Sequence, residues 1–176
     1  MSLNSAPSGE RIHIGFFGRR NAGKSSLVNA FTGQELSIVS DYKGTTTDPV
    51  TKSMELLPLG PVTIIDTPGV DDEGELGSLR VQKCMDVMRR IHVAIVVIDI
   101  SCGFFGEDKL LWDHLKNLGV PAILVLNKSD LVSADYIEDM KLRLKDELGL
   151  TSANLVVTST LSDSGIHELK EKTAKT

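Results

Sequence analysis

The sequence predicts a doubly wound α/β domain built on a mostly parallel six-stranded sheet with one antiparallel pair. Three observations carry that prediction. Short apolar runs alternate along the chain with amphipathic stretches of helical length, the rhythm of strand–helix–strand units. The runs His92–Ile98 and Val120–Leu126 are apolar almost throughout, as strands covered on both faces are. The segments Val50–Leu57 and Val62–Ile65 are separated only by Pro58-Leu59-Gly60-Pro61, a link read most simply as that of an antiparallel hairpin.

Length and composition suit one domain. The chain has 176 residues, of which 41% are apolar and 24% charged, values of an ordinary globular protein. Its net charge of −5 argues against non-specific binding to nucleic acid or to acidic membranes. No apolar run approaches the roughly 20 residues of a membrane span. The first ten residues, MSLNSAPSGE, lack the charged and apolar regions of a signal peptide and read as a flexible tail, and the use of only two cysteines fits a reducing cytoplasm. Residues 11–176 form the domain. The last helix offers Ile166, Leu169 and Ala174 and then no stop signal, which reads as a domain excised from a longer multidomain protein. Cys84 and Cys102 are too few for a disulfide framework or a Cys-x-x-Cys metal site, and both read as small buried apolar residues.

Taken in order, the elements begin with the strand Ile12–Phe17. It runs into Gly18-Arg19-Arg20-Asn21-Ala22-Gly23-Lys24-Ser25, a complete G-x-x-x-x-G-K-S followed by a helix over about 24–32. Glycines let the backbone close around an anion, successive N–H groups converge on it, and the helix adds its positive end. Arg20, Asn21, Ala22, Gly23, Lys24, Ser25 and Ser26 are therefore candidate phosphate-binding residues, with Lys24 for the β- and γ-phosphates and Ser25 for Mg²⁺. Gly33 stops the helix. The polar stretch Tyr42–Pro49 reads as a loop, where Thr46 is the candidate second hydroxyl ligand of Mg²⁺ and Thr45 the competing assignment.

After the hairpin, Asp66-Thr67-Pro68-Gly69 closes a buried strand. Asp66 is a candidate for the Mg²⁺ shell through water, and the Gly69 N–H is available to sense a γ-phosphate. The acidic run Asp71–Glu75 reads as a solvated switch segment, with partner or cation binding as the alternative. A helix over about 78–90 follows, with Leu79, Cys84, Val87 and Met88 facing inward. The strand 92–98 leads to a helix near 107–117 (Leu110, Leu111, Leu115, Leu118). The strand 120–126 ends in Asn127-Lys128-Ser129-Asp130. Ser133 caps a helix that Gly149 ends, and a short strand, 154–157, precedes the loop 158–165 and the last helix.

Asn127-Lys128-Ser129-Asp130 selects the base. Guanine presents two donors, N1–H and N2–H₂, and the ionised carboxylate of Asp130 accepts both. Adenine would leave that carboxylate unpaired, the kind of penalty that discriminates strongly. Asn127 is expected to tie loops together and Lys128 to lie over the base. Ser159-Thr160-Leu161 is expected to support the guanine through backbone N–H groups. The four histidines show no ligand or catalytic spacing.

Taken together, these motifs resemble the GTPase domains of the translation-factor superclass, specifically the Era and MnmE (TrmE) group. Leu56–Pro61 and Asp71–Val81 resemble, within it, the hydrogenase maturation GTPase family HydF. The resemblance covers nearly the whole chain after residue 10 and implies a Ras-like P-loop GTPase fold, GTP and GDP as ligands, and Mg²⁺. It also implies K⁺ held by Asn21 beside the phosphates, against the plainer reading of Asn21 as a left-handed loop residue. Arg19 and Arg20 read as solvated loop charges, with an arginine finger or partner contact as the alternative. Where Ras-like enzymes carry a water-orienting Gln after the D-x-x-G glycine, this chain has Val70, so slow intrinsic hydrolysis is expected, with Lys24, Asn21, Thr46 and Gly69 as the catalytic set.

Two functions are compatible with this reading. One is a GTP switch serving iron–iron hydrogenase cofactor maturation, with iron–sulfur ligands, dimerisation and maturation partners outside this chain. The other is an Era- or MnmE-like GTPase in ribosome assembly or tRNA modification. The acidic balance and the lack of a basic stripe count against direct nucleic-acid contact by this domain.

Overall fold

The computed structural model describes residues 11–19, 21–33, 50–67 and 82–176. Among the described residues, six strands form one sheet: β1 (Ile12–Gly18), β2 (Val50–Leu56), β3 (Gly60–Asp66), β4 (Val93–Asp99), β5 (Ala122–Asn127) and β6 (Leu155–Val157). Their order is β2-β3-β1-β4-β5-β6. Only β2 runs antiparallel, pairing with β3 from Val50 opposite Asp66 to Leu56 opposite Gly60. All other pairings are parallel. This is the expected doubly wound sheet with its one antiparallel pair.

The helices are α1 (Lys24–Thr32), α2 (82–88), α3 (Gly106–Asn117), α4 (Ala134–Leu148) and α5 (Ile166–Lys175). Successive strand residues point to opposite faces, so each apolar strand feeds two cores. Phe17, Ala94, Val96, Ile98, Leu124 and Leu126 pack with the apolar residues of α2, α3 and α4. Ile14, Phe16, Ile95, Val97, Ile123 and Val125 pack with those of α1 and α5. On that second face the rings of Phe16 and Phe31 meet edge-on at 5.3 Å and 72°. A one-sided strand would alternate; these cannot, because both faces are covered.

Helix ends follow their local signals. The Ser133 hydroxyl accepts the Tyr136 N–H at 3.2 Å, and Gly149 ends α4 with its N–H on the Lys145 carbonyl. Several expectations are corrected. In α3, Leu110 is 64% exposed and Leu118 is also exposed, whereas Trp112 is buried, which turns the inner face toward Leu111, Trp112 and Leu115. In α5, Ala174 faces solvent and Thr173 is buried, its hydroxyl satisfied by the Leu169 carbonyl at 2.7 Å. Cys84 is buried but Cys102 is exposed, because it lies on the turn after β4 and not on an element. Leu79 and the start of its helix, the tail 1–10, and the acidic run Asp71–Glu75 lie outside the described residues.

Every candidate site residue that the structure describes sits where a strand ends at the carboxyl edge of the sheet, on the loop that follows, or on the first turn of α1. Open α/β sheets bind ligands at that edge. His13 and His92 lie at the opposite edge, where the His13 backbone N–H donates to His92 Nδ1 at 2.9 Å. Among the described residues no helix is long and apolar enough to cross a membrane.

Candidate functional site

The site starts from the turn between β1 and α1. Gly23 caps α1 with φ +85°, and no side chain caps the helix. The first turn also lacks acidic residues, so its N–H groups and positive end can receive an outside anion. Gly23 is fixed by its surroundings as well as by its φ. A Cβ there would lie 2.4 Å from Asn127 Nδ2. The loop before it is tight: the Ala22 N–H donates to the Arg19 carbonyl at 3.2 Å, and Asn21 has φ +66°.

Lys24, the first residue of α1, carries its ammonium to the end of β3. It donates to Asp66 Oδ1 at 2.5 Å and to the Thr67 carbonyl. The lysine and aspartate side chains are 11% and 8% exposed, so this is a nearly buried ion pair. Thr67 is itself fixed to β1, giving both its N–H (3.2 Å) and its hydroxyl (2.6 Å) to the Phe16 carbonyl. The phosphate-loop lysine and the Asp-Thr segment thus form one unit. Ser25 and Ser26 follow on the first turn of α1, half-buried and exposed respectively.

Across the sheet, Asn127 is fully buried and binds two loops at once. Its Nδ2 donates to the Ala22 carbonyl at 3.1 Å, and its Oδ1 accepts the Thr158 hydroxyl at 2.8 Å. Asn127 therefore joins the phosphate loop to the loop after β6. Lys128 has a left-handed backbone (φ +63°) and stretches back over the sheet edge. Its Nζ donates to the Asn21 carbonyl at 2.7 Å and pairs with Asp99 Oδ2 at 3.1 Å. Burial pushes the Asp99 carboxyl up, but hydrogen bonds from Ser101 and Lys128 outweigh it and hold the group below its ordinary value of 3.8.

Asp130 accepts the Ser159 hydroxyl at 2.6 Å. Ser159 is held in turn by a bridge to Ser164, each N–H donating to the other's carbonyl at 3.0 Å. This corrects one expectation. The Ser159 N–H is committed to Ser164, and the residue reaches the Asp130 carboxylate through its side chain. Leu161 is 82% exposed, with its side chain in solvent, and Thr160 is half-buried.

Arg19 is likewise not a solvated charge. Its guanidinium lies 4.3 Å from the centre of the Phe105 ring, and Phe105 is held by the buried Asp108, which accepts its backbone N–H at 2.9 Å. Arg20, Thr45, Thr46, Gly69 and Val70 lie outside the described residues. Thr158 and Asp99 were not singled out in the sequence, although Asp99 ends β4 and Thr158 directly follows β6 beside Asn127, and that position was the available signal. Asp99 lies directly opposite Asn127 in the β4–β5 pairing.

The residues present suit Mg²⁺. A hydroxyl (Ser25) and a carboxylate (Asp66) are hard oxygen donors, and Asp66 already receives a cationic head at 2.5 Å beside the phosphate loop. Among the described residues no group of three His, Cys, Asp or Glu forms a cage. Mg²⁺ does not require one, since it keeps waters and takes substrate phosphates as ligands.

Comparison with known proteins gives the family. The model of the family described as 50S ribosome-binding GTPase matches residues 13–128. GTPase Der from Kosmotoga olearia is 32% identical over 169 residues, covering 93% of this chain and 38% of its own length. The tRNA modification GTPase MnmE from Lachnoclostridium phytofermentans is 34% identical over 174 residues, covering 96% and 36%. This chain thus spans little more than a third of either relative. A crystal structure of Era in complex with MgGDPNP and nucleotides 1506–1542 of 16S ribosomal RNA superposes with a TM-score of 0.82 at 25% identity, covering 93% of this chain and 55% of that one. The three lie on the Era and MnmE side of the resemblance, and none is a hydrogenase maturation protein.

Proposed function

The chain belongs to the family of 50S ribosome-binding GTPases, and from that premise we propose that it is the guanine-nucleotide switch of a protein acting on RNA, in ribosome assembly or tRNA modification. It is a GTP-binding domain that hydrolyses GTP to GDP and phosphate. The observation that carries the nucleotide assignment is the pair of hydrogen bonds by which Asn127 donates to the Ala22 carbonyl and accepts the Thr158 hydroxyl, which brings the phosphate loop, Asp130 and Ser159 to one place.

In this reading Asp130 takes the two guanine donors while Ser159 keeps its carboxylate turned toward them. The stem of Lys128 lies over the base. Lys24 exchanges Asp66 and the Thr67 carbonyl for phosphate oxygens, which releases the Asp66 carboxylate at the moment the nucleotide arrives. Ser25, Asp66 and Thr46 would hold Mg²⁺, which when bound would neutralise charge on the β- and γ-phosphates. The N–H groups of Gly23, Lys24 and Ser25 hold the phosphates from the other side. Asn21 is the proposed seat for K⁺. Thr46 and Gly69 belong to the segments that distinguish GTP from GDP.

The RNA branch is preferred over hydrogenase maturation for a specific reason. One relative is named for tRNA modification, and the structurally similar Era is held on ribosomal RNA. The net charge of −5 still speaks against a broad RNA footprint on this domain, so contact falls mainly to parts of the protein beyond it. A direct test is co-sedimentation of the full-length natural protein with ribosomal subunits, and its retention of tRNA, in GDPNP and in GDP. Nucleotide-dependent retention supports the proposal. No retention of either RNA in either nucleotide overturns it.

A further inference from the structure

We infer that Asp99 is a positioning residue for the base site, holding Lys128 in the pose from which its stem carries the guanine; this rests on the reading of Lys128 given above. Three observations lead there. Asp99 is the last residue of β4 and lies opposite Asn127, so the sheet itself sets it beside the Asn127–Asp130 loop. The register is secured by the Ile100 N–H, which donates to the Asn127 carbonyl at 3.0 Å.

The carboxylate is preset. Its Oδ1 accepts both the N–H (2.9 Å) and the hydroxyl (2.5 Å) of Ser101, which leaves Oδ2 aimed at Lys128 Nζ, 3.1 Å away, with Cys102 Sγ at 3.5 Å. Side chains fixed by hydrogen bonds of their own position charge without further ordering.

Packing alone does not hold the lysine. A cavity of about 370 Å³ adjoins this contact, lined by Arg19, Asn21, Asp99, Cys102, Phe105 and Lys128. Lys128 thus has room to swing away from the base. Two anchors oppose that: the Asn21 carbonyl, on a loop with its own left-handed residue, and Asp99 on the rigid sheet. Removing the sheet anchor leaves Lys128 tied only to the loop.

The experiment measures release of a fluorescent GDP and the KM and kcat for GTP in the natural protein. In Asp99→Asn the amide keeps Ser101 but turns a donor toward the ammonium. Loss of one charge-assisted contact corresponds to about tenfold faster GDP release. The effect should fall on release and KM more than on kcat, because Lys128 is placed at the base and not at the phosphates. In a Lys128→Met background, which keeps the stem and removes the ammonium, Asp99→Asn should change release by less than about twofold. Equal acceleration in both backgrounds, or none in the first, overturns the inference. Should Asp99→Asn fail to fold, Ser101→Ala decides. It frees the carboxylate and should give a smaller acceleration that also disappears with Lys128→Met; persistence or absence of that effect overturns the inference. A protein that does not prefer GDP to ADP would instead defeat the reading of the base site, which the same assay registers separately.

Discussion

Asn127 Nδ2 donates to the carbonyl oxygen of Ala22 at 3.1 Å, joining residues 105 positions apart in the chain. Beneath that bond lies Gly23, with no atom at the Cβ position and Asn127 Nδ2 filling the space a Cβ would need. The phosphate loop and the base loop are thereby one object, and disturbing either half should disturb the other.

Asn127→Ala tests this from one side. It strands the buried Ala22 carbonyl and the Thr158 hydroxyl, and leaving one such group unpaired costs about 1–3 kcal/mol. We expect a stability loss in urea of that order and at least tenfold weaker binding of both GTP and GDP. Asn127→Ala with full stability and unchanged GDP affinity would show the link to be incidental.

Gly23→Ala tests it from the other side, with Gly33→Ala as its control. Both glycines have positive φ, +85° and +71°. A left-handed non-glycine residue costs about 1–2 kcal/mol, and at Gly33, where nothing lies within 4 Å of a Cβ, that strain is all there is. At Gly23 the new methyl also expels Asn127. Gly33→Ala should therefore lower stability modestly and keep GDP binding, whereas Gly23→Ala should abolish measurable binding. Equal effects on binding would refute the coupling.

The difference between what was legible in the sequence and what was not follows from the range of the interactions. β1, α1, β4, β5 and α4 are specified locally, by apolar runs, Gly23 and Gly33, Ser133 and Gly149, and their bounds agree with the expectation to within a residue or two. The tying role of Asn127 was legible because its position at a strand end implies its neighbours. The outward turn of Leu110, the stacking of Arg19 on Phe105 and the bond of Ser159 to Asp130 were not legible. Each depends on which loop the topology sets beside another, and neither spacing nor residue type encodes that. Asp99 is the intermediate case, since its strand end was visible but its partner Lys128 came only with the β4–β5 register.

The two cysteines should separate by reactivity. Burial pushes the Cys84 thiol up, with the Thr67 hydroxyl and the Lys24 charge acting against it more weakly, and the residue is 1% exposed. A thiol kept protonated and covered is a poor nucleophile. At pH 8 one thiol per chain, Cys102, should react promptly with a disulfide reagent in the folded protein, and two after unfolding in urea. Prompt reaction of both in the folded protein would show that α2 opens readily and uncovers Cys84.

With Val70 in place of a water-orienting Gln, Asn21 is the residue to test for stabilising the charge that develops in hydrolysis. Its backbone is left-handed (φ +66°) and its carbonyl receives Lys128 at 2.7 Å, so the residue has a backbone duty whatever its side chain does. Substitution by alanine would confuse the two, since it adds strain to the loss of the amide. Asn21→Gly keeps the left-handed turn and the carbonyl and removes only the side chain. If the amide holds K⁺ beside the phosphates, GTP hydrolysis at matched ionic strength should be faster in KCl than in NaCl, and Asn21→Gly should erase the difference while GDP affinity stays within about threefold, a shift below the tenfold step of 1.4 kcal/mol. K⁺ stimulation that survives in Asn21→Gly would move the cation to other ligands. Equal, slow rates in both salts would leave Asn21 as a turn residue and assign the missing charge to an activating partner, for which an arginine supplied in trans raises the rate by about 10³–10⁵.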